Sequence, residues 1–184
     1  DYRLRTLPQV RGFFFPADGA ADDAMAAAFD RLAGTADDDP RLTIEGRTLV
    51  ARRRAGSAVW FDFATLCDGP RSQRDYLDIA RRFSVLLLSN VPQMDADTAD
   101  VARRFTWLID ILYDHHVKLI LSAAAPADAL YPQGPNAAEF ARTVSRLTEM
   151  RSRDYMSTAH SRDATPVAPA AADDADALSV IFSL

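Results

Sequence analysis

The sequence predicts an α/β domain: a small mixed sheet with a β-hairpin and a βαβ unit, covered by helices and followed by a disordered C-terminal tail. Three observations predict it. Two continuous apolar runs, "SVLLLSNVP" (84–92) and "VKLILSAAAP" (117–126), have strand length without polar alternation, as strands covered on both faces do. Between them, "DADTADVARRFTWLIDILYDHH" (95–116) carries a helical apolar stripe, so strand, helix and strand form a crossover unit. Upstream, "LTIEGRTLVARRR" (42–54) alternates on either side of Glu45 and Gly46, which predicts a hairpin.

The remaining elements follow in order. "RGFFFP" (11–16) is an aromatic run closed by Pro16 and reads as a strand. "DDAMAAAFDRLAG" places Met25, Phe29 and Leu32 on one helical face, with aspartates at its start and Gly34 as its stop. "TADDDPR" is a solvated turn, and "AVWFDF" (58–63) is the next strand. Cys67, Gly69 and Pro70 read as a loop. "SQRDYLDIARRF" is an amphipathic helix with a capping serine and an apolar face of Tyr76, Ile79, Ala80 and Phe83. A last helix is expected from about Asn136 to Tyr155, with Phe140, Val144 and Leu147 along one side. The domain is expected to span residues 1–156, and the Ala-, Pro- and Asp-rich stretch 157–184 to be flexible, although its closing "LSVIFSL" has the composition to dock locally.

Composition narrows the function classes. A net charge of -5 argues against a partner recognised through an overall basic field, so nucleic acid is not expected. No apolar run approaches the roughly 20 residues of a membrane-spanning helix. Cys67 is the only cysteine, which excludes an internal disulfide and a cysteine-rich metal centre and fits a reducing, cytoplasmic setting. The thiol has no histidine nearby in sequence, so a buried side chain is expected rather than a nucleophile. The chain opens on Asp1, as expected of a segment of a longer protein.

No GxxxxGK[ST] loop, GxSxG elbow, HExxH pair or GxGxxG turn occurs in the sequence, and no catalytic residue is assigned within it. His115 and His116 close a helix, where capping suits them better than metal binding, and no metal site is predicted. The arginines remain. On the helix before the second apolar strand, Val101, Phe105, Leu108, Ile109 and Leu112 form the buried stripe. Arg103 and Trp107 fall opposite, four residues apart, where a guanidinium can lie on an indole. A tryptophan on that side implies a second packing surface, so both are candidate interface residues. Arg104 sits at the margin beside Asp100. On the last helix Arg142, Arg146 and Glu149 turn away from the apolar stripe, as a solvated face would. "RRR" at 52–54 reads as edge-strand charge that discourages aggregation.

Several stretches together, "DYRLR", "VWFDFATLCDGPRSQRDYLDIARRF", "LLLSNVPQMDADTADVARRFTWLIDILYDHHVKLILSAAAPADALY" and "FARTVSRLTEMRSRDY", resemble the C-terminal portion of the ZapE-type (AFG1-like) AAA+ ATPases over Asp1 to Tyr155. The resemblance implies a P-loop ATPase whose Walker A loop, Walker B acids and sensor 1 lie in an N-terminal half, with ATP and Mg bound mainly there. It implies as partners that ATPase half, a protein of cell division or quality control, and further copies of the same protein. Arginines of such enzymes stabilise the transferred phosphate, which makes Arg3, Arg103, Arg104, Arg142 and Arg146 the nucleotide-sensing candidates. Ser89 and Asn90 end an apolar strand where a catalytic acid pair would be needed. That pattern also suits an ordinary βαβ unit. The competing class is a stand-alone interaction module without a nucleotide role.

Overall fold

The computed structural model describes residues 11–161. Arg3 and residues 162–184, most of the expected tail, lie outside the described residues. A five-stranded sheet in the order β1-β7-β6-β5-β4 forms the centre. Its strands are β1 (Phe13–Phe14), β4 (Arg53–Ala55), β5 (Ala58–Asp62), β6 (Val85–Val91) and β7 (Lys118–Ala123). Neighbours pair in parallel from β1 to β5, and β4 runs antiparallel to β5. A separate hairpin joins β2 (Arg41–Ile44) to β3 (Arg47–Val50), turning at Glu45 and Gly46, both in the left-handed region. The predicted α/β class, hairpin and crossover unit are all present.

The absence of polar alternation in β5, β6 and β7 has its cause in the two layers that cover them. Val59, Phe61, Leu86, Leu88, Leu119 and Leu121 face one core, and Ala58, Trp60, Val85, Leu87 and Ile120 face the other. The first core is closed by the hairpin and by α2 (Phe63–Cys67), α3 (Gln73–Arg82), α4 (Ala99–Asp114) and α5 (Phe140–Glu149). The second is closed by α1 (Gly19–Ala33), whose Met25 and Phe29 are fully buried, and by Met156 of α6 (Arg153–Ser157). The helix after β1 therefore covers the opposite face from those after β5 and β6.

Local sequence sets these elements. Asp18 caps α1 by accepting from the Ala21 amide at 2.9 Å, and Gly34 ends it at φ 66°. Ser72 and Asp75 form a capping box on α3, and the buried Asp75 carboxylate also receives Arg47 of β3 at 2.7 Å, which ties the hairpin to α3. His115 caps α4, its Nδ1 3.0 Å from the Ile111 carbonyl oxygen, and His116 follows in the left-handed region.

Three expectations change. Cys67 ends α2 rather than lying in a loop, fully buried, and burial pushes its thiol up to about 12. Arg52–Arg54 do not extend the hairpin: Arg53 and Arg54 begin β4, the edge of the main sheet. The last helix is two pieces, because α5 stops at Glu149 and Ser152 starts α6 by accepting from the Tyr155 amide at 3.2 Å. Residues beyond 156 still contact the domain, with the Ser161 amide donating to the His115 carbonyl at 2.8 Å.

Candidate functional site

The carboxyl ends of β5 and β6 are where an open parallel sheet offers a crevice. A cavity of about 470 Å³ lies there, lined by Arg52, Asp62, Asn90 and Gln93 among others. Arg52 stands over Trp60, its guanidinium carbon 5.1 Å from the ring centroid, and pairs with Asp22 at 3.2 Å and Asp62 at 3.0 Å. Ser89, fully buried, accepts from the Trp60 indole at 2.8 Å and from Arg52 at 3.3 Å. Asn90 sits at φ 67°, where the ladder between β6 and β7 shifts register, and the Ser122 hydroxyl accepts its amide proton at 2.9 Å. These residues do not fit a magnesium-bound phosphate. Ser89 is spent on Trp60 and Arg52, and Arg52 already faces two carboxylates. Among the described residues no group of three or more His, Cys, Asp or Glu is placed to hold a metal ion. Sequence reading missed Arg52, whose partners Asp22 and Ser89 lie 30 and 37 residues away and Trp60 and Asp62 on β5, and the only signal for it was the "RRR" run.

The second region is the seam between α4 and α5. Thr143 donates to Thr106 at 3.4 Å, Arg146 pairs with Asp110, and Tyr113 donates to Glu149 at 2.7 Å, so the two helices run parallel and begin at the same end. Between their starts lies a groove of about 550 Å³, lined by Ala102, Arg103, Tyr131 and Phe140 among others.

Four of the five arginine candidates fall on these helices, and their surroundings separate them. Arg104 is held in place: its Nε donates to the Cys67 carbonyl at 2.8 Å and it pairs with Asp100 at 3.2 Å. Arg146 is 14% exposed, joined to Asp110 and set 4.7 Å from the Tyr113 ring centroid. The solvated face expected of this helix side does not extend to Arg146, which is covered against α4, while Arg142 and Glu149 are exposed, Glu149 still accepting from Tyr113. Arg142 is 56% exposed, with one long pair to Asp110 at 3.5 Å. Arg103 is exposed and lies over Trp107 at 5.4 Å, as the four-residue spacing predicted. Trp107 itself is half-buried against the core. Arg103 lines the groove, whereas Arg142 and Arg146 meet at Asp110.

A mostly parallel α/β sheet with helices on both faces is an architecture shared by many nucleotide-binding proteins. The model of the AFG1-like ATPase family matches residues 1–159, and the chain belongs to that family. It is 36% identical over 165 residues to cell division protein ZapE of Escherichia coli K12, covering 87% of this chain and 43% of that protein. It is also 36% identical over 161 residues to lactation elevated protein 1 homolog B of Danio rerio, covering 85% of this chain and 32% of that one. The chain therefore spans less than half the length of either relative. No solved structure matches it. Among the described residues, no helix is long and apolar enough to cross a membrane.

Proposed function

We propose that this chain is the C-terminal part of an AAA+-type P-loop ATPase that couples ATP hydrolysis to a protein partner of cell division, in the cytoplasm. The family match over residues 1–159 carries the reading, and the ZapE relative supports the cell-division role. ATP and Mg are held mainly by sequence outside this chain, in keeping with the paired polar groups at the carboxyl ends of β5 and β6.

Within that reading the arginines divide. Arg142 is the nucleotide-sensing residue. It can leave Asp110 without stranding the carboxylate, because Arg146 stays bound to it. Arg104 and Arg146 hold the helices, and the Arg103–Trp107 face packs on the ATPase part. In an assembly of several copies, Arg142 acts on a neighbour's phosphate.

ATP hydrolysis by the full-length protein tests this. Arg142→Ala should lower turnover about a hundredfold with nucleotide affinity kept, as loss of a transition-state contact does. Mixing it with wild type should inhibit more than dilution predicts. Unchanged turnover in the folded variant would return Arg142 to the surface.

A further inference from the structure

We propose that residues 178–184 of this chain, "LSVIFSL", pair as a further parallel strand with the outer edge of β1, bringing Asp173, Asp174 and Asp176 to Arg11 and Arg151. The segment itself lies outside the described residues, and the pairing stands apart from the ATPase reading.

The edge is built to receive a strand. β1 ends the main sheet on one side, and among the described residues no strand lies beyond it. The Gly12 carbonyl turns inward and accepts the Leu121 amide proton at 3.0 Å, so in this parallel ladder the Phe13 peptide groups turn outward. The Phe13 carbonyl accepts from Arg11 Nε at 3.2 Å, a side-chain contact that an incoming backbone amide would replace. Phe15, next along the chain and with its ring 6.3 Å from that of Phe13, is 49% exposed. An open edge beside an exposed aromatic is a template for another strand.

Topology and charge select the occupant. β5, β6 and β7 advance one place at a time toward β1, and the helices that connect them, α3 and α4, both cover the first core. α5 follows β7 on that same face, so a right-handed continuation sets the next parallel strand on the outer side of β1. The chain is then back at the amino ends of the strands, where the Tyr155 hydroxyl donates to the Val117 carbonyl and the Ser161 amide to the His115 carbonyl, both at 2.8 Å. From Ser161 a flexible stretch as long as residues 162–177 reaches roughly 20 Å, against about 5 Å between neighbouring strands. In "LSVIFSL", Leu178, Val180, Phe182 and Leu184 alternate with Ser179, Ile181 and Ser183, the pattern of a strand with one apolar face. That face has Phe15 to cover. At the start of β1, Arg11 lies over Phe14 at 4.6 Å and Arg151 over Phe13 at 5.2 Å, and among the described residues neither pairs with an acid. A parallel strand entering there brings the three aspartates to both guanidiniums, whereas an antiparallel one carries them to the far end.

Hydrogen exchange by NMR on the isotope-labelled 184-residue chain tests this. Alternate amides within 178–184 should exchange about tenfold more slowly than in an unstructured chain. Backbone NOEs should link the segment to Phe13 and Phe15 in the same order along both strands. Val180→Pro and Ile181→Pro, made separately, each delete one amide, and the one whose amide faces β1 should abolish the protection. Asp173→Asn, Asp174→Asn and Asp176→Asn combined should lower it about threefold, as should raised salt on the wild type. An unchanged Leu87 amide in the middle of the sheet certifies folding of each variant. Exchange at the unstructured rate in the wild-type chain would overturn the proposal. So would protection that survives both proline variants, protection indifferent to the three aspartates, or NOEs in antiparallel order. NOEs found only between differently labelled copies in a mixed sample would overturn it in favour of strand exchange between molecules.

Discussion

Arg52 and Arg103 each lie over a tryptophan, at 5.1 and 5.4 Å, yet one is locked and the other open. Arg52 is pinned between Asp22 and Asp62 and shares Ser89 with Trp60, so its cationic charge is answered within the fold. Arg103 has the same aromatic shelf and, among the described residues, no carboxylate paired with it. Stacking alone therefore does not distinguish a structural arginine from a binding one. What distinguishes them is whether acids converge on the N–H edge.

The largest expected difference between the two sites lies in the rings. Trp60 is 4% exposed and packs with Phe29 at 6.1 Å, so Trp60→Ala opens a cavity in the α1 core and should cost about 3–5 kcal/mol. Trp107 is half-buried, and Trp107→Ala should cost about 1–2 kcal/mol through partial loss of apolar burial. Urea unfolding of both variants measures this. Equal losses would mean that the Arg103 shelf is as much a part of the core as the Arg52 shelf.

Lys118, the only lysine, sharpens the comparison as a cation answered, among the described residues, by carbonyls and the Tyr155 ring rather than by acids. Its Nζ donates to the carbonyls of His116 at 3.0 Å, Tyr155 at 3.1 Å and Thr158, which ties α6 and the chain after it to β7. Burial pushes its pKa down from 10.5 to about 8. Between those values the unfolded chain holds a proton that the folded one has released, so wild-type stability rises with pH through that window relative to Lys118→Met. Unfolding free energies of both proteins from pH 7 to 9.5, short of where Tyr113 ionises, check the sign. A constant difference would mean that the three carbonyls hold Lys118 protonated throughout.

How much of this was legible in the sequence depends on the reach of each interaction. β6 and β7 were readable because burial on both faces leaves unbroken apolar runs, and α4 because five apolar residues share its stripe. The Arg103–Trp107 stack was readable because a helix brings residues four apart together. Strand order was not, since β1 contributes two residues and joins the sheet beside β7, more than a hundred residues away. Nor was the Arg146–Asp110 pair, whose partners lie 36 residues apart on helices that the pattern treats separately. The break between α5 and α6 was hidden because Ser152 has the polarity of an exposed helical residue, and only its bond to the Tyr155 amide reveals a cap. The groove combined all of these difficulties, being built from α4, α5 and the loop at Gly134.

The smallest expected effect tests the comparison most directly. Arg52→Ala removes two partly exposed ion pairs and a stacked guanidinium, and should cost about 1–2 kcal/mol. Arg103→Ala removes one exposed cation–π contact and should cost about 0.5 kcal/mol. Asp22 and Asp62, left without Arg52, should also make the first variant lose stability at low ionic strength, where their mutual repulsion is least screened, and recover part of it in salt. Arg103→Ala leaves no stranded acid and should show no such recovery. Urea unfolding of both variants at 20 mM and 500 mM salt, on the order of one Debye-length extreme and the other, reads the difference. The same salt response in both would place an unrecognised acid beside Arg103, and the reason for treating its edge as open would be gone.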